Sequence, residues 1–489
     1  MLPKSNHIDM VAGRFKDTSA FDLKELFAAA DKSEQRDHLV FHFHGGLVGR
    51  ESAHAVGEKL LEPYRAAHAW PVFVIWNSDL KTQLQEKLLN IAAENVFKHL
   101  LRRILRLAEG KLRGGFGERG AELEFLSLKD IPKEPWDLEE YAAAREAQLS
   151  AVQSLPSEAQ MRMIEQELAD DLALKKDAEA ITLGLGSPEE VQRNLNVARA
   201  GAANSTVPVH TRMAQDVLDE FANEKVGAAG ARGISASTVL AIRGAKAVLA
   251  VLRRFLTKSD HGLYTTVVEE ILRSFYIGAL GTRVWSEMKQ DTVDAFGGDP
   301  AVHAGTAIMK HLRQWWQPGR RITLVGHSAG AIFCGNFLEA LDDVLPPEAK
   351  TDLIFLAPAC TFRFVNDRVT LLQRRVQAAR VFALKDELES GYWEVPGLYK
   401  GSLLYMISGL FEGDSSDEPI VGMQRYYSGA KPYNGTSLTQ VTSWLQNRVW
   451  SKTQNGPGWE CAADEHGRFL QDESMVRSLG FLVKNGLGK

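Results

Sequence analysis

The chain of 489 residues is 45% hydrophobic and 24% charged, the composition of an ordinary folded protein with a sizeable core. Its formal net charge of −5 gives no electrostatic reason to bind nucleic acid, so that class of partner is not expected. The three cysteines, Cys334, Cys360 and Cys461, lack metal-ligand spacing and an even-numbered disulfide framework, which predicts reduced thiols. The sequence has neither a secretory signal pattern nor a run of about 18 apolar residues, so we expect a cytoplasmic protein without a transmembrane segment.

The opening of the chain predicts an alternation of strands and helices. After a short helix over residues 21–29, the β-rich run HLVFHF at residues 38–43 predicts a strand. Apolar positions near helical spacing predict a helix over residues 51–66, and PVFVIW at residues 71–76 predicts a second buried strand. The first 37 residues otherwise show little periodic apolar pattern.

Residues 77–261 predict a large helical insertion into a core made of residues 1–76 and 262–489. Residues 90–112 place Phe97, Leu100 and Leu101 on one helical face, and residues 135–176 have the composition of a solvated helical pair. GAAGARG at residues 227–233 predicts a linker. Residues 235–256 are apolar but carry basic side chains. They predict a helix packed over the core or lining a cap, or one in peripheral contact with an anionic membrane.

From residue 262 the alternation resumes. Helices are predicted at residues 264–294, 301–316 and 368–379, with another ending near residue 343, and strands at 322–325, 353–356 and 380–384. This order predicts an α/β fold with a mostly parallel sheet and helices on both faces. Active sites of such sheets lie at the carboxyl ends of the strands.

Three polar segments directly follow predicted strands. The first is GHSAG, which consists of Gly326, His327, Ser328, Ala329 and Gly330. Its glycines let the backbone turn sharply from strand to helix, which would hold the Ser328 hydroxyl above a helix N-terminus. The others are Lys385-Asp386 and the run HGGL at residues 44–47. We therefore expect all three segments on one edge of the sheet.

These motifs resemble those of the α/β-hydrolase superfamily, in which the catalytic triad runs Ser, acid, His along the chain. The resemblance covers residues 37–76 and 264–489 and implies Ser328 as nucleophile in a nucleophile elbow. His466 is the one histidine after Ser328 and is therefore the implied base. Asp386 follows a strand where the family usually carries the acid. Glu387 and Glu389 remain alternatives, and Asp386 could instead cap the next helix.

The resemblance also implies an oxyanion hole. One donor is the backbone N–H of Ala329, and the other comes from Gly46 or Leu47, with Gly45 allowing close approach and His44 bracing the loop. Leu47 stands where related lipases and esterases often have a third glycine. His42 and His44 alternate like a metal pair, but the sequence around them has no third ligand at suitable spacing, so neither a metal nor another cofactor is expected.

The implied activity is a carboxylic ester hydrolase, esterase-like or lipase-like, that acts on a small-molecule or lipid-like ester through an acyl-enzyme. A peptidase, a thioesterase and an acyltransferase use the same residues and stay open. The alternative from another class is a hydrolase-fold interaction protein that docks a partner or a lipid surface through its helical insertion. We further expect the insertion to form a cap over the site, with Phe97, Leu100 and Leu101 or the helix at 235–256 lining an apolar entrance.

Overall fold

The structure is a computed structural model that describes residues 2–46, 48–76, 80–114, 131–147, 156–185, 236–276, 281–412 and 416–488, together with Met213 and Val217. The strands are β1 (His7–Val11), β2 (Arg14–Phe15), β3 (His38–Phe43), β4 (Trp70–Trp76), β5 (Arg321–His327), β6 (Thr351–Leu356), β7 (Val376–Leu384), β8 (Arg448–Ser451), β9 (Thr453–Gln454) and β10 (Glu460–Cys461).

The helices of the described ranges are α1 (Ala20–Lys32), α2 (Arg50–Ala66), α3 (Leu80–Ala93), α4 (Asn95–Gly114), α5 (Pro135–Glu146), α6 (Glu158–Ala169), α7 (Leu172–Leu185), α8 (Ala236–Thr257), α9 (Leu263–Ile271), α10 (Gly281–Asp294), α11 (Ala304–Trp315), α12 (Gly330–Val344), α13 (Phe362–Asp367), α14 (Val369–Arg375), α15 (Asp386–Gly391), α16 (Leu403–Met406), α17 (Thr436–Trp444) and α18 (Glu473–Asn485). Short turns of other helical types lie at Leu272–Tyr276, Ile407–Phe411 and His466–Arg468.

Eight strands form one sheet in the order β2-β1-β4-β3-β5-β6-β7-β8. All neighbouring pairs are parallel except β1 with the short edge strand β2. The pairing of β3 with β5 brings Phe43 opposite Gly326, so the loops after these two strands start side by side. The predicted α/β class with a mostly parallel sheet is therefore confirmed.

Both faces of this sheet are covered. Alternate residues of the central strands belong to two separate apolar cores: Phe41 and Leu324 to one, Val40 and Val325 to the other. Apolar residues of α1, α11 and α12 fill the first core, and those of α2 and α18 fill the second. Burial on both faces explains why these strands read as continuous apolar runs in the sequence.

Between β4 and β5 the chain builds a helical layer, defined here as α3 to α9. Helix α8 is its centre and packs against α4, α6, α7 and α9. The side chains predicted to line an entrance, Phe97, Leu100 and Leu101, are 2%, 3% and 1% exposed, so they are buried rather than facing an opening. None of the helices in the described ranges has the length and apolar character needed to span a bilayer.

Several predicted boundaries are wrong. The single helix expected at residues 264–294 is interrupted at Leu272–Tyr276, and the helix expected at 368–379 ends at Arg375, where β7 begins. Strands β1, β2 and β8 were not predicted, because short strands carry too few residues to show a clear alternation. The predicted linker at residues 227–233 lies outside the described residues.

Candidate functional site

Ser328 lies in a strained turn between β5 and α12. Its φ of +52° is in the left-handed region, which costs a non-glycine residue about 1–2 kcal/mol. Backbone hydrogen bonds hold this conformation: the Ser328 N–H donates to the Leu356 carbonyl at 2.9 Å, and its carbonyl accepts from Ala331 and Ala359 at 3.1 and 3.0 Å. The turn is thus tied to β6 as well as to its own helix, which fixes the direction of the side chain.

Gly326 and Gly330 flank this turn because nothing larger fits. A Cβ on Gly330 would lie 2.3 Å from the Phe43 carbonyl oxygen, and one on Gly326 would lie 2.8 Å from the Gly330 carbonyl oxygen. Both contacts are far inside van der Waals separation and involve backbone atoms that cannot move aside. The two glycines therefore let the turn pack directly against the end of β3.

His466 meets Ser328 across the site. Its Nε2 lies 3.0 Å from Ser328 Oγ, and the two residues are only 5% and 3% exposed. His466 was predicted as the base because it is the one histidine that follows Ser328 in the sequence. In the structure its ring lies where a neutral imidazole can accept the serine proton. The two residues lie 138 positions apart in the sequence, so the contact depends on the tertiary fold.

His327 positions the His466 segment, a role the sequence did not reveal. Its Nε2 lies 3.1 Å from the His466 carbonyl oxygen, and because a carbonyl can only accept, this nitrogen donates. Burial lowers the pKa of His327 to about 4, which keeps the ring neutral. Its ring lies 5.6 Å from that of His466, measured between centroids.

Further contacts hold the loop that carries His466. The Ser451 hydroxyl at the end of β8 donates to the Ala463 carbonyl, and the Ala462 N–H donates to Asp472 Oδ2 at 2.7 Å. Asp472 also caps α18 by accepting from Met475 at 3.1 Å. The loop is therefore anchored to the sheet on one side and to the last helix on the other.

The glycine loop after β3 lies directly against the serine turn. A Cβ on Gly45 would lie 3.2 Å from the Ser328 Cβ, and one on Gly46 would lie 2.7 Å from the Ala329 Cβ and 2.2 Å from the Met288 sulfur. Ala329 is the N-cap of α12, so the helix itself does not use its N–H group. Leu47, the other predicted donor, lies outside the described residues.

His44 braces this loop, as expected from the sequence. The backbone N–H of Trp76 donates to its Nε2 at 3.1 Å, so Nδ1 carries the proton and donates to the Gly45 carbonyl at 2.8 Å. The Trp76 indole N–H also donates to the His44 carbonyl at 3.2 Å. Burial lowers the pKa of His44 to about 4, so the ring stays neutral and its two roles are fixed.

Asp386 is the first residue of α15, directly after β7. Its Oδ1 accepts a hydrogen bond from the Tyr405 hydroxyl at 2.8 Å, and its N–H donates to Gln424 at 3.0 Å. Of the three predicted triad members, Ser328 and His466 are joined by a hydrogen bond.

The two alternative acids have different surroundings. Glu387 is exposed. Glu389 is fully buried and accepts a hydrogen bond from the Ser402 hydroxyl. Burial, followed by the nearby charges of Asp386 and Glu394, raises the pKa of Glu389 to about 8. Glu389 is therefore neutral at pH 7 and a poor counter-charge for an imidazolium.

Asp386 also joins a buried polar network. Arg425 contacts the hydroxyls of Tyr405 at 3.4 Å and Tyr433 at 2.9 Å, and Tyr433 donates to Asp417 at 2.6 Å. His261 continues the chain, with its ring nitrogens 3.1 Å from Asp417 and 2.9 Å from Glu269. Glu269 in turn binds Arg254 at 2.5 Å. The network links α15 to the helical layer through side chains that sequence reasoning did not single out.

Two groups of histidines bear on metal binding. His42 Nδ1 lies 2.9 Å from the Tyr64 hydroxyl, whereas His44 binds backbone, so the two face different partners. Elsewhere in the described residues, ligand atoms of His7, Asp9 and His54 lie within 4.8 Å of one another. Arg50 already forms an ion pair with Asp9 there, and a guanidinium opposes the approach of a cation.

Comparisons of the chain with protein-family models, with curated proteins and with solved structures find no match. The site must therefore be interpreted from its own geometry.

Proposed function

We propose that the protein is a serine hydrolase of the α/β-hydrolase type that cleaves a carboxylic ester through an acyl-enzyme. The observation that carries this proposal is the 3.0 Å contact between Ser328 Oγ and His466 Nε2, with the serine at a φ of +52°. A buried serine–histidine pair on a strained turn before a helix is the arrangement needed to generate and orient a nucleophile.

In the proposed reaction, His466 removes the Ser328 proton as the oxygen attacks the ester carbonyl. The C–O bond to the alcohol then breaks, and His466 returns the proton to the leaving alkoxide. Water, deprotonated by His466, attacks the acyl carbon; the bond from that carbon to Ser328 Oγ then breaks, His466 returns the proton to Ser328 Oγ, and the carboxylic acid is released. The N–H of Ala329 and a donor in the loop at residues 44–47 stabilise the negative oxygen in both steps, because that loop lies against Ser328 and Ala329.

Asp386 is proposed as the acid that stabilises the imidazolium of His466. It follows β7, the neighbour of β8, which leads into the His466 loop. The alternative Glu389 is disfavoured because its pKa of about 8 leaves it protonated when the reaction needs an anion. Tyr405 is then a positioning residue, since its hydroxyl donates to Asp386 at 2.8 Å.

The helical layer is proposed to cover the site and to select the substrate. Its helices contact the segment after α15: the rings of Trp136 and Trp393 lie 4.2 Å apart, and Lys400 forms an ion pair with Glu139 at 2.5 Å. That segment follows the carboxyl end of β7, on the edge that carries Ser328. Ser328 and His466 are 3% and 5% exposed, so the proposal requires that chain around them moves to admit a substrate.

The proposal is tested by labelling with a fluorophosphonate probe, followed by mass spectrometry of the modified peptide. We expect modification of Ser328, loss of labelling in Ser328→Ala and His466→Gln, and normal labelling in the control Ser443→Ala, which changes an exposed serine of α17. Labelling of Ser328→Ala at the rate of the parent would refute the proposal.

A substrate panel then fixes the reaction type. p-Nitrophenyl esters of increasing acyl length, a thioester, a peptide amide and an acceptor alcohol are compared at equal enzyme concentration. We expect a burst of p-nitrophenol from the esters, whose size equals the active-site concentration. Turnover confined to the peptide, the thioester or the acceptor reaction would keep Ser328 as nucleophile but replace the ester hydrolase by one of the other acyl-transfer classes.

A further inference from the structure

Away from the serine, a cavity of about 500 Å³ opens between α6, α8 and α9. We propose that this cavity binds the phosphate group of a small soluble ligand. The proposal rests on the lining of the cavity and is independent of the serine chemistry.

The centre of the argument is Arg254, which lines the cavity and is 2% exposed. Its Nη1 binds Glu269 at 2.5 Å and Glu270 at 3.2 Å, and its Nε donates to the Ser259 carbonyl at 3.2 Å. The remaining nitrogen, Nη2, finds no acceptor among the described residues. Buried donors in proteins are almost always hydrogen-bonded, and an anionic oxygen bound in the cavity would accept a hydrogen bond from this nitrogen.

The charge of the lining indicates which anion fits. Four cationic side chains, Lys246, Arg253, Arg254 and Arg273, line the cavity together with the carboxylates of Glu165 and Glu270. With Glu269, which binds Arg254, three carboxylates oppose them, so one positive charge remains in formal excess. This excess favours an anion, and a phosphate offers three acceptor oxygens to the donors of the lining, whereas a carboxylate offers two. The hydroxyl groups of Thr257 and Ser259 also line the cavity, but they are hydrogen-bonded to each other and to carbonyl groups of α8. The Ser416 hydroxyl, which lines the cavity as well, can donate to a further phosphate oxygen.

A soluble source of the phosphate is favoured over a lipid headgroup. The apolar residues of α8 that a membrane would need to contact, such as Val248 and Leu252, are 0% exposed. They pack in the protein core instead of forming an apolar surface. The basic residues Lys246 and Arg253 of this helix are exposed.

The test uses the full-length protein with inorganic phosphate and glycerol 3-phosphate as probes, followed by ³¹P NMR and titration calorimetry at constant ionic strength. We expect saturable binding that is weakened by about tenfold or more in the double variant Lys246→Gln/Arg253→Gln, because two cationic contacts are lost. These side chains are exposed, so the variant should retain the parent's melting temperature. The control Arg162→Gln/Lys176→Gln removes two exposed charges of the same layer outside the cavity and should bind like the parent.

The proposal is overturned if the parent shows no saturable binding or if the two double variants bind phosphate equally. Vesicles of phosphatidylcholine with and without phosphatidic acid form the second arm. Binding to phosphatidic acid vesicles that depends on Lys246 and Arg253, without binding of the soluble probes, would refute the soluble ligand and assign the phosphate to a membrane.

Discussion

Replacing Glu389 by glutamine should change how the stability of the protein depends on pH. The Glu389 carboxyl is 0% exposed, and its Oε1 has no hydrogen-bond partner within the described part of the chain. Burial first, and then the charges of Asp386 and Glu394, raise its pKa from 4.5 to about 8. Each pKa unit corresponds to about 1.4 kcal/mol, so full ionisation would cost the fold about 5 kcal/mol.

The sign follows from the raised pKa. In the unfolded chain this glutamate loses its proton near pH 4.5, whereas the folded protein retains it up to about pH 8. The stabilising contribution is therefore fully present below pH 4.5 and is lost as the pH rises through about 8. Glutamine cannot ionise, so Glu389→Gln should gain stability relative to the parent by about 1.4 kcal/mol per pH unit across this window.

Urea unfolding followed by tryptophan fluorescence, at several pH values between about 4.5 and 9, measures this difference. The amide adds a buried N–H group, which shifts the variant's stability by a constant amount, so the slope against pH is the diagnostic quantity. Glu387→Gln, which changes an exposed carboxylate two positions away, serves as the control and should show no comparable slope. A pH-independent difference between parent and Glu389→Gln would refute a buried neutral carboxyl.

Three further changes probe the site and its supports. Gly330→Ala would place a methyl group 2.3 Å from a carbonyl oxygen of β3 and should lower stability by about 1–3 kcal/mol, measured as a fall in melting temperature; an unchanged melting temperature would contradict this. Arg254→Met removes the guanidinium that lies between the buried carboxylates of Glu269 and Glu270 and should cost about 3–5 kcal/mol in urea unfolding, whereas equal midpoints would exclude a stabilising role. His44→Phe removes the bonds to Trp76 and Gly45 and should lower kcat for an ester by about tenfold or more with little change in KM; a parent-like kcat would show that the loop needs no brace.

The sequence predicted those strands whose residues are shaped mainly by one physical effect, burial on both faces of the sheet. Strands β3 to β7 are buried on both faces, so their residues form apolar runs that stand out from the polar loops. The short strands β1, β2 and β8 have no such run and were missed. The break at Leu272–Tyr276 was also missed, because it interrupts a region whose apolar spacing continues to favour a helix.

The candidate site likewise contains residues that the sequence could predict and residues that it could not. Ser328 and the glycines around it could be predicted because a sharp turn with close backbone contacts demands those residue types. The support that His327 gives to His466 could not be predicted, because its acceptor is a carbonyl oxygen 139 positions away. A carbonyl belongs to every residue and leaves no signal in the sequence. The contact of Met288 with Gly46 depends likewise on how α10 packs over the loop.

The neighbouring strands β3 and β5 have a consequence for how this protein could change. The loops after these two strands start side by side, and the glycine loop after β3 lies directly against the serine turn after β5. The helical layer is inserted between β4 and β5 and, in its described residues, contributes no strand to the sheet, whereas Met288 of α10 contacts Gly46 beside the serine turn. The contact between Ser328 and His466 is made by segments outside the helical layer. If the proposed function holds, exchange or redesign of the helical layer should alter what is bound while leaving this contact in place.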